Sequence, residues 1–284
     1  MLSAGTARLL LRPAGLPAPD AIPAPAVPAT ATIDTAVKNM KIKGFVRNSF
    51  IDYPGKIAAV IWTPGCNFRC PFCYNVDLVL DQPSLPSFSE TEIMAFLKKE
   101  KNFLDGLVIT GGEPTLQPDL IDFLIKVKTK NLPVKLDTNG SHPEVLEKLI
   151  KQDLISYIAL DIKAPLQPEK YSLLSGVDAA SCNRFLSNVI TTIDLLPDSG
   201  LEYELRTTVA PDLLSEDDFL EIGRFCKKRR NRDVFPGCYV IQNFFPAQTL
   251  NPEFAVKKSW EKERLEALRE KMKMFFREVR IRSK

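Results

Sequence analysis

Ile57-Ala58-Ala59-Val60-Ile61-Trp62-Thr63-Pro64-Gly65-Cys66-Asn67-Phe68-Arg69-Cys70-Pro71-Phe72-Cys73 sets the reading of this chain. Residues 57–62 are apolar and partly β-branched, which predicts a buried strand. Three thiols then fall within eight residues, with an aromatic residue just before the third. Three thiolates can hold three irons of a [4Fe–4S] cluster and leave the fourth iron without a protein ligand. Such an iron can bind a substrate or cosubstrate and pass it an electron.

The alternative for these cysteines is structural zinc, which usually closes with four Cys or His ligands. Only three ligands are local here. His142 lies far downstream, and Cys182, Cys226 and Cys238 are scattered singly. The spacing does not fit the usual zinc patterns. A disulfide framework is not needed, because a chain of this size buries a core without staples.

Working outward, strands and helices alternate. Strands are predicted at residues 107–110, 134–137, 155–161, 201–209 and 239–242, with a short one at 276–281. Ser89-Glu90-Thr91-Glu92 is a capping box ahead of Ile93, Phe96 and Leu97. Further helices are predicted at 119–129, from Pro143 through 151, at 183–195, after Ser215, and at 259–273. Alternation of this kind implies a parallel sheet with right-handed crossovers. A full eight-unit barrel takes about 250 residues, and the regular region here is about 200. The expectation is therefore an α/β fold, an incomplete open (β/α)6-type barrel. Its chemistry would gather at the carboxyl ends of the strands.

The unusual residues do fall at those ends. Cys66, Cys70 and Cys73 follow the first strand, and Gly111-Gly112-Glu113-Pro114 the second. Asp137-Thr138-Asn139-Gly140 ends the third and Asp161-Ile162-Lys163 the fourth; Arg206 lies late in the next, and Gln242 ends the last core strand. Each motif also has a plain structural reading. Gly111-Gly112 suits a turn and Pro114 a helix start. Asp137-Thr138-Asn139-Gly140 suits an Asx or β-turn. Asp161 and Lys163 suit a solvated pair. His142 reads as a helix-start residue, Cys182 and Cys226 as core thiols, and the final basic helix as a solvated face.

Composition bounds the rest. The 284 residues are 45% hydrophobic and 26% charged, as in ordinary globular proteins. A net charge of +3 gives no argument for nucleic acid or membrane partners. No apolar run approaches the roughly 18–20 residues of a membrane span. Unpaired thiols point to a reducing compartment, hence the cytoplasm. Residues 1–40 differ: they are Ala/Pro-rich and poor in charge, which predicts a disordered extension. Arg8 and Arg12 with no acid before Asp20 leave organelle targeting as the alternative. Residues 41–284 would form the catalytic domain, with its C-terminal helix and short strand.

The Cys-x-x-x-Cys-x-aromatic-Cys run followed by Gly-Gly-Glu-Pro resembles the radical S-adenosylmethionine (SAM) superfamily. More narrowly, Ser49-Phe50-Ile51-Asp52-Tyr53-Pro54-Gly55-Lys56, the stretch through Asn75, Asp137–Ser141, Asp161–Pro165 and Arg206–Val209 resemble anaerobic ribonucleoside-triphosphate reductase activating proteins. The resemblance implies that Cys66, Cys70 and Cys73 ligate one [4Fe–4S] cluster. It implies that Gly111, Gly112 and Glu113 meet the amino end of SAM. Asp137, Thr138, Asp161 and Lys163 resemble the polar set near the SAM carboxylate, with Asn139 and Arg206 as further contacts. The implied reaction is reductive cleavage of SAM to a 5′-deoxyadenosyl radical, which makes a glycyl radical on a partner such as anaerobic ribonucleotide reductase. Reduced flavodoxin or ferredoxin would be the electron donor. Tyr74 departs from the histidine common at that position. The competing expectations are a radical SAM enzyme of small molecules, such as one resembling 7-carboxy-7-deazaguanine synthase, and a non-catalytic iron–sulfur or zinc protein.

Overall fold

Gly44–Ser49 (β1) runs antiparallel to Ala58–Thr63 (β2). Parallel neighbours follow in sequence order: Gly106–Gly111 (β3), Val134–Thr138 (β4), Tyr157–Asp161 (β5), Glu202–Thr208 (β6), Phe235–Gln242 (β7) and Phe276–Arg282 (β8). The structure, a computed structural model, describes residues 39–230 and 233–283. Among these residues β1 and β8 are the two edges of one eight-stranded sheet, so the barrel stays open as expected.

Each crossover carries helix. Val76–Val79 (α1) and Glu90–Lys99 (α2) precede β3; Leu120–Lys128 (α3) precedes β4 and Pro143–Lys151 (α4) precedes β5. Pro168–Ser175 (α5) and Ala179–Leu195 (α6) lead to β6, Glu216–Arg230 (α7) to β7, and Lys262–Met272 (α8) to β8. Local chemistry explains the starts. Ser89 Oγ accepts from the Glu92 N–H at 3.1 Å, so the predicted cap forms. Asp178 caps α6 by accepting from the Ser181 N–H at 2.9 Å, which starts that helix four residues earlier than its apolar stripe suggests. The final basic helix is not only a solvated face, since Leu265, Leu268 and Met272 are buried.

The period of two along a strand sorts the side chains into two layers. Ala59, Ile61, Leu107, Ile109, Leu136, Ile158, Leu160, Leu205, Tyr239 and Ile241 face outward into the main core under the helices. Ala58, Val60, Val108, Tyr157 and Ala159 face inward and pack with Tyr53 and Trp62 in a second, smaller cluster. Tyr53, between β1 and β2, meets Tyr157 of β5 edge-on at 5.7 Å, a contact across two intervening strands that requires the sheet to curl. On the same inner face lie Lys135 and Asp137 of β4, Asp161 of β5, and Glu204 and Arg206 of β6.

The extension read at 1–40 lies outside the described residues but for its last two. Of these, Met40 is buried and donates its N–H to Glu90 Oε1 at 2.6 Å, so it belongs to the folded part. No helix among the described residues is long and apolar enough to cross a membrane.

Candidate active site

All the strand-end motifs reach the carboxyl rim of the sheet. The loop after β2 carries Cys66, Cys70 and Cys73, and neighbours hold it on several sides. Leu250 donates its N–H to Cys73 O at 3.0 Å, and Asn251 to Pro71 O at 2.9 Å. Arg69 donates its N–H to Ser175 O at 2.7 Å. Phe68 packs edge-on against Tyr171 and Phe185, and Phe72 meets Phe254. The thiols are free. Burial pushes Cys66 and Cys70 up to about 12, with nearby Lys163 drawing both back.

Gly111 and Gly112 have a steric reason beyond the turn. The Gly112 N–H donates to Thr63 O at 2.9 Å and the Glu113 N–H to Gly65 O at 2.8 Å, tying this loop to the start of the cysteine loop. A Cβ on Gly112 would lie 1.8 Å from Gly65 O, and Gly111 has φ +127°. Only glycine permits this approach.

Glu113 is 1% exposed. Its Oε1 accepts from the Thr115 N–H at 3.1 Å, the Thr115 hydroxyl at 2.6 Å and the Thr138 hydroxyl at 2.8 Å; Oε2 accepts from the Asn139 N–H at 2.7 Å. A carboxylate offers about four lone-pair sites. Three donors of the chain meet Oε1 and one meets Oε2, so Glu113 clamps the loops after β3 and β4 together while Oε2 keeps one acceptor site.

Asp137, Asp161, Lys163 and Arg206 come together, with Lys135 added. Lys135 Nζ pairs with Asp137 Oδ1. Arg206 Nη1 reaches Asp137 Oδ2 at 3.1 Å and its Nε reaches Asp161 Oδ1 at 2.7 Å. Lys163 Nζ donates to Asp161 Oδ2 at 3.1 Å. The result is an alternating ladder, Lys135–Asp137–Arg206–Asp161–Lys163, across β4, β5 and β6. Burial alone would raise the Asp161 pKa; Arg206 and Lys163 overcome it and hold that carboxyl well below the usual range. Asp137 is lowered in the same way by Arg206 and Lys135. Burial pushes the Lys135 ammonium down despite Asp137. For Lys163 burial is outweighed by Asp161 and Cys70, which raise it. Below the ladder, Tyr157 donates its hydroxyl to Glu204 Oε2 at 3.0 Å.

Sequence reasoning missed Lys135, Glu204 and the polar residues under the cysteine loop. Lys135 was detectable: the alternation Val134-Lys135-Leu136-Asp137 puts it on the face of Asp137. Asn67, Thr115 and Ser141 carry no such signal. Asn139 is 5% exposed, with its side chain bonded to Asn67 and Ser141. Tyr74 stands 57% exposed beside Cys73.

The donor set fits an iron–sulfur cluster: three soft sulfur donors on one anchored loop, with a cation beside them. Cys182, Cys226 and Cys238 sit apart on α6, α7 and β7. Among the described residues, no three His, Cys, Asp or Glu side chains converge as a single-ion site requires.

The sequence profile of the Radical SAM superfamily matches residues 60–226. A protein of Methanocaldococcus jannaschii, described as a candidate glycyl-radical enzyme activating enzyme, is 37% identical over 75% of this chain and 83% of its own length. The pyruvate formate-lyase-activating enzyme of Streptococcus mutans is 27% identical over 69% of this chain and 76% of its own. Among solved structures, Streptococcus suis SuiB bound to S-adenosylmethionine superposes with a TM-score of 0.57 at 17% identity, over 79% of this chain and 51% of that one. That likeness supports the fold, an open and mostly parallel α/β sheet. The chain belongs to the radical SAM superfamily, enzymes that use a [4Fe–4S] cluster and SAM, and within it to the glycyl-radical enzyme activating enzymes.

Proposed function

We propose that this protein generates a glycyl radical on an anaerobic ribonucleoside-triphosphate reductase, through reductive cleavage of SAM. The observation that carries the reading is the meeting of an anchored three-thiol loop with a buried ionic ladder at one sheet rim. Cys66, Cys70 and Cys73 would hold the cluster, which when bound supplies the electron for the cleavage. Lys163 lies near Cys70 and Cys73 and offsets the negative charge of a thiolate-bound centre. Gly111 and Gly112 present backbone to the amino end of SAM, and Glu113 fixes their loop against that of Thr138 and Asn139. Asp137, Asp161 and Arg206 hold one another ionised and in place, so the rim presents preset charges. Side chains below the rim fill the inner face: Tyr53, Ala58, Val60, Val108 and Ala159 are each at most 1% exposed. This favours a substrate that meets the rim from outside, as a protein loop does, over a small molecule held in the barrel. A 5′-deoxyadenosyl radical attacks most C–H bonds, so selectivity must come from such positioning. Reduced flavodoxin or ferredoxin is the proposed donor and the cytoplasm the proposed location. Residues 41–284 form the catalytic domain in this reading.

The test is to mix the anaerobically reconstituted protein with SAM, a reductant and an anaerobic ribonucleotide reductase. A glycyl-radical EPR signal on the reductase is expected. SAM cleavage without that signal, while another glycyl-radical protein is activated, would refute the choice of partner.

A further inference from the structure

A hydrogen-bonded relay runs beneath the cysteine loop and ends on one sulfur. Asn139 Nδ2 donates to Asn67 Oδ1 at 2.8 Å and lies 3.9 Å from Cys66 Sγ. Asn67 Nδ2 donates to Ser141 Oγ at 2.8 Å. Ser141 Oγ lies 3.0 Å from Nδ1 of His142, the chain's only histidine, and Thr115 Oγ1 lies 3.1 Å from the same nitrogen. Thr115 in turn donates to Glu113. The orientation of the Asn139 amide is not arbitrary. The Ser141 N–H donates to Asn139 Oδ1 at 2.9 Å, and a backbone N–H can only donate. The oxygen must face Ser141, which turns Nδ2 toward Cys66. The loop bearing Asn139 is itself pinned, since Asn188 donates to Ser141 O and Thr192 to Gly140 O, both at 2.8 Å.

We propose that Asn139 sets the reduction potential of the cluster by presenting its amide N–H to the Cys66 sulfur, with Asn67, Ser141 and His142 as positioning residues. This rests on the cluster reading above. A donor aimed at a ligand sulfur stabilises the reduced centre, which carries one more negative charge, and so raises the potential. The Phe68 N–H, 3.4 Å from the same sulfur, acts in the same sense. Cys73 has a backbone donor of its own in Asn75, so it is the side-chain donor that sets Cys66 apart. The role differs from a direct SAM contact: both ends of the Asn139 carboxamide are already engaged by the chain.

The experiment is a spectroscopic redox titration of the reconstituted full chain without SAM, with iron and sulfide measured alongside. Asn139→Asp keeps an acceptor for the Ser141 N–H but replaces the donor with an anionic oxygen. The reduced-to-oxidised ratio at a fixed potential should fall at least tenfold, which for one electron is about 59 mV. Asn139→Ala removes the donor without adding charge and should fall in the same direction by a smaller factor. SAM affinity, which a direct SAM contact at Asn139 would change, is measured in both variants alongside the potential. Three results would overturn the proposal: an Ala variant with full cluster content and unchanged potential, whatever Asp does; variants that lose the cluster altogether, which would make Asn139 structural; or lost SAM affinity at unchanged potential. A wild-type protein that binds no iron would overturn the function reading itself.

Discussion

Gly112 shows how much one hydrogen atom decides. Its missing Cβ leaves room for Gly65 O, so the loops after β2 and β3 share backbone hydrogen bonds. Gly112→Ala must push them apart, an overpacking that typically costs about 1–3 kcal/mol. The expected outcome is a lower denaturation midpoint together with loss of SAM cleavage. Gly200 is the control. It has φ +75° with nothing within 4 Å of where a Cβ would stand, so Ala there should cost about 1 kcal/mol in backbone strain and leave cleavage intact. Equal losses at both positions would contradict the steric account. The Gly-Gly pair is visible in sequence. Its partner Gly65 is not, because forty-odd residues separate them and only the parallel register of β2 with β3 brings them together.

At the scale of elements, three adjacent strands share one ionic ladder. Arg206→Met would leave Asp137 and Asp161 each without their shared cation. Leaving a buried charge wholly unpaired costs about 3–5 kcal/mol; with Lys135 and Lys163 still in place the loss should be smaller, and it is readable by urea denaturation. Arg206→Lys should not restore it, since one ammonium cannot reproduce the two-carboxylate fork. The pH response follows from the same shifts. Both carboxyls have folded pKa values below their unfolded ones, near 3.9. Their contribution is therefore complete above that value and is lost as pH falls below it. Wild type should lose denaturation midpoint progressively as pH falls from about 5 towards 2, and Arg206→Met should lose less. A variant with the full wild-type acid response would contradict the ladder. The elements themselves are unevenly legible. β2, β3 and β5 read as strands because burial on both faces leaves apolar runs, while β4 and β6 read as strands by alternation of apolar and charged residues. β1 escapes the pattern: Gly44-Phe45-Val46-Arg47-Asn48-Ser49 is an edge with three exposed residues and no such run. α5 escapes it because Pro168–Ser175 has little apolar asymmetry, with Tyr171 and Leu174 as its large buried residues. β7 reads as a strand from Tyr239 but begins at Phe235. Pro236 and Gly237 look like breakers, and a register shift against β8 absorbs them.

Over the whole molecule, one rule carries the reading from sequence to site: in a parallel α/β sheet, the carboxyl ends of the strands meet. Cysteines, paired glycines, acids, Lys163 and Arg206 are spread over more than a hundred positions and share one rim because of it. What the rule does not supply is which of those residues face one another. The Glu113 clamp and the Asn139 relay depend on side-chain geometry between loops, and no periodicity encodes it. The central claim is that three sulfurs on the loop after β2 support SAM cleavage. The most direct measurement is anaerobic reconstitution, metal and sulfide analysis, then SAM with dithionite and chromatography of the products. The account predicts about four irons per chain and 5′-deoxyadenosine from wild type, with none from Cys70→Ala. Zinc in place of iron, or undiminished cleavage by Cys70→Ala, would contradict it.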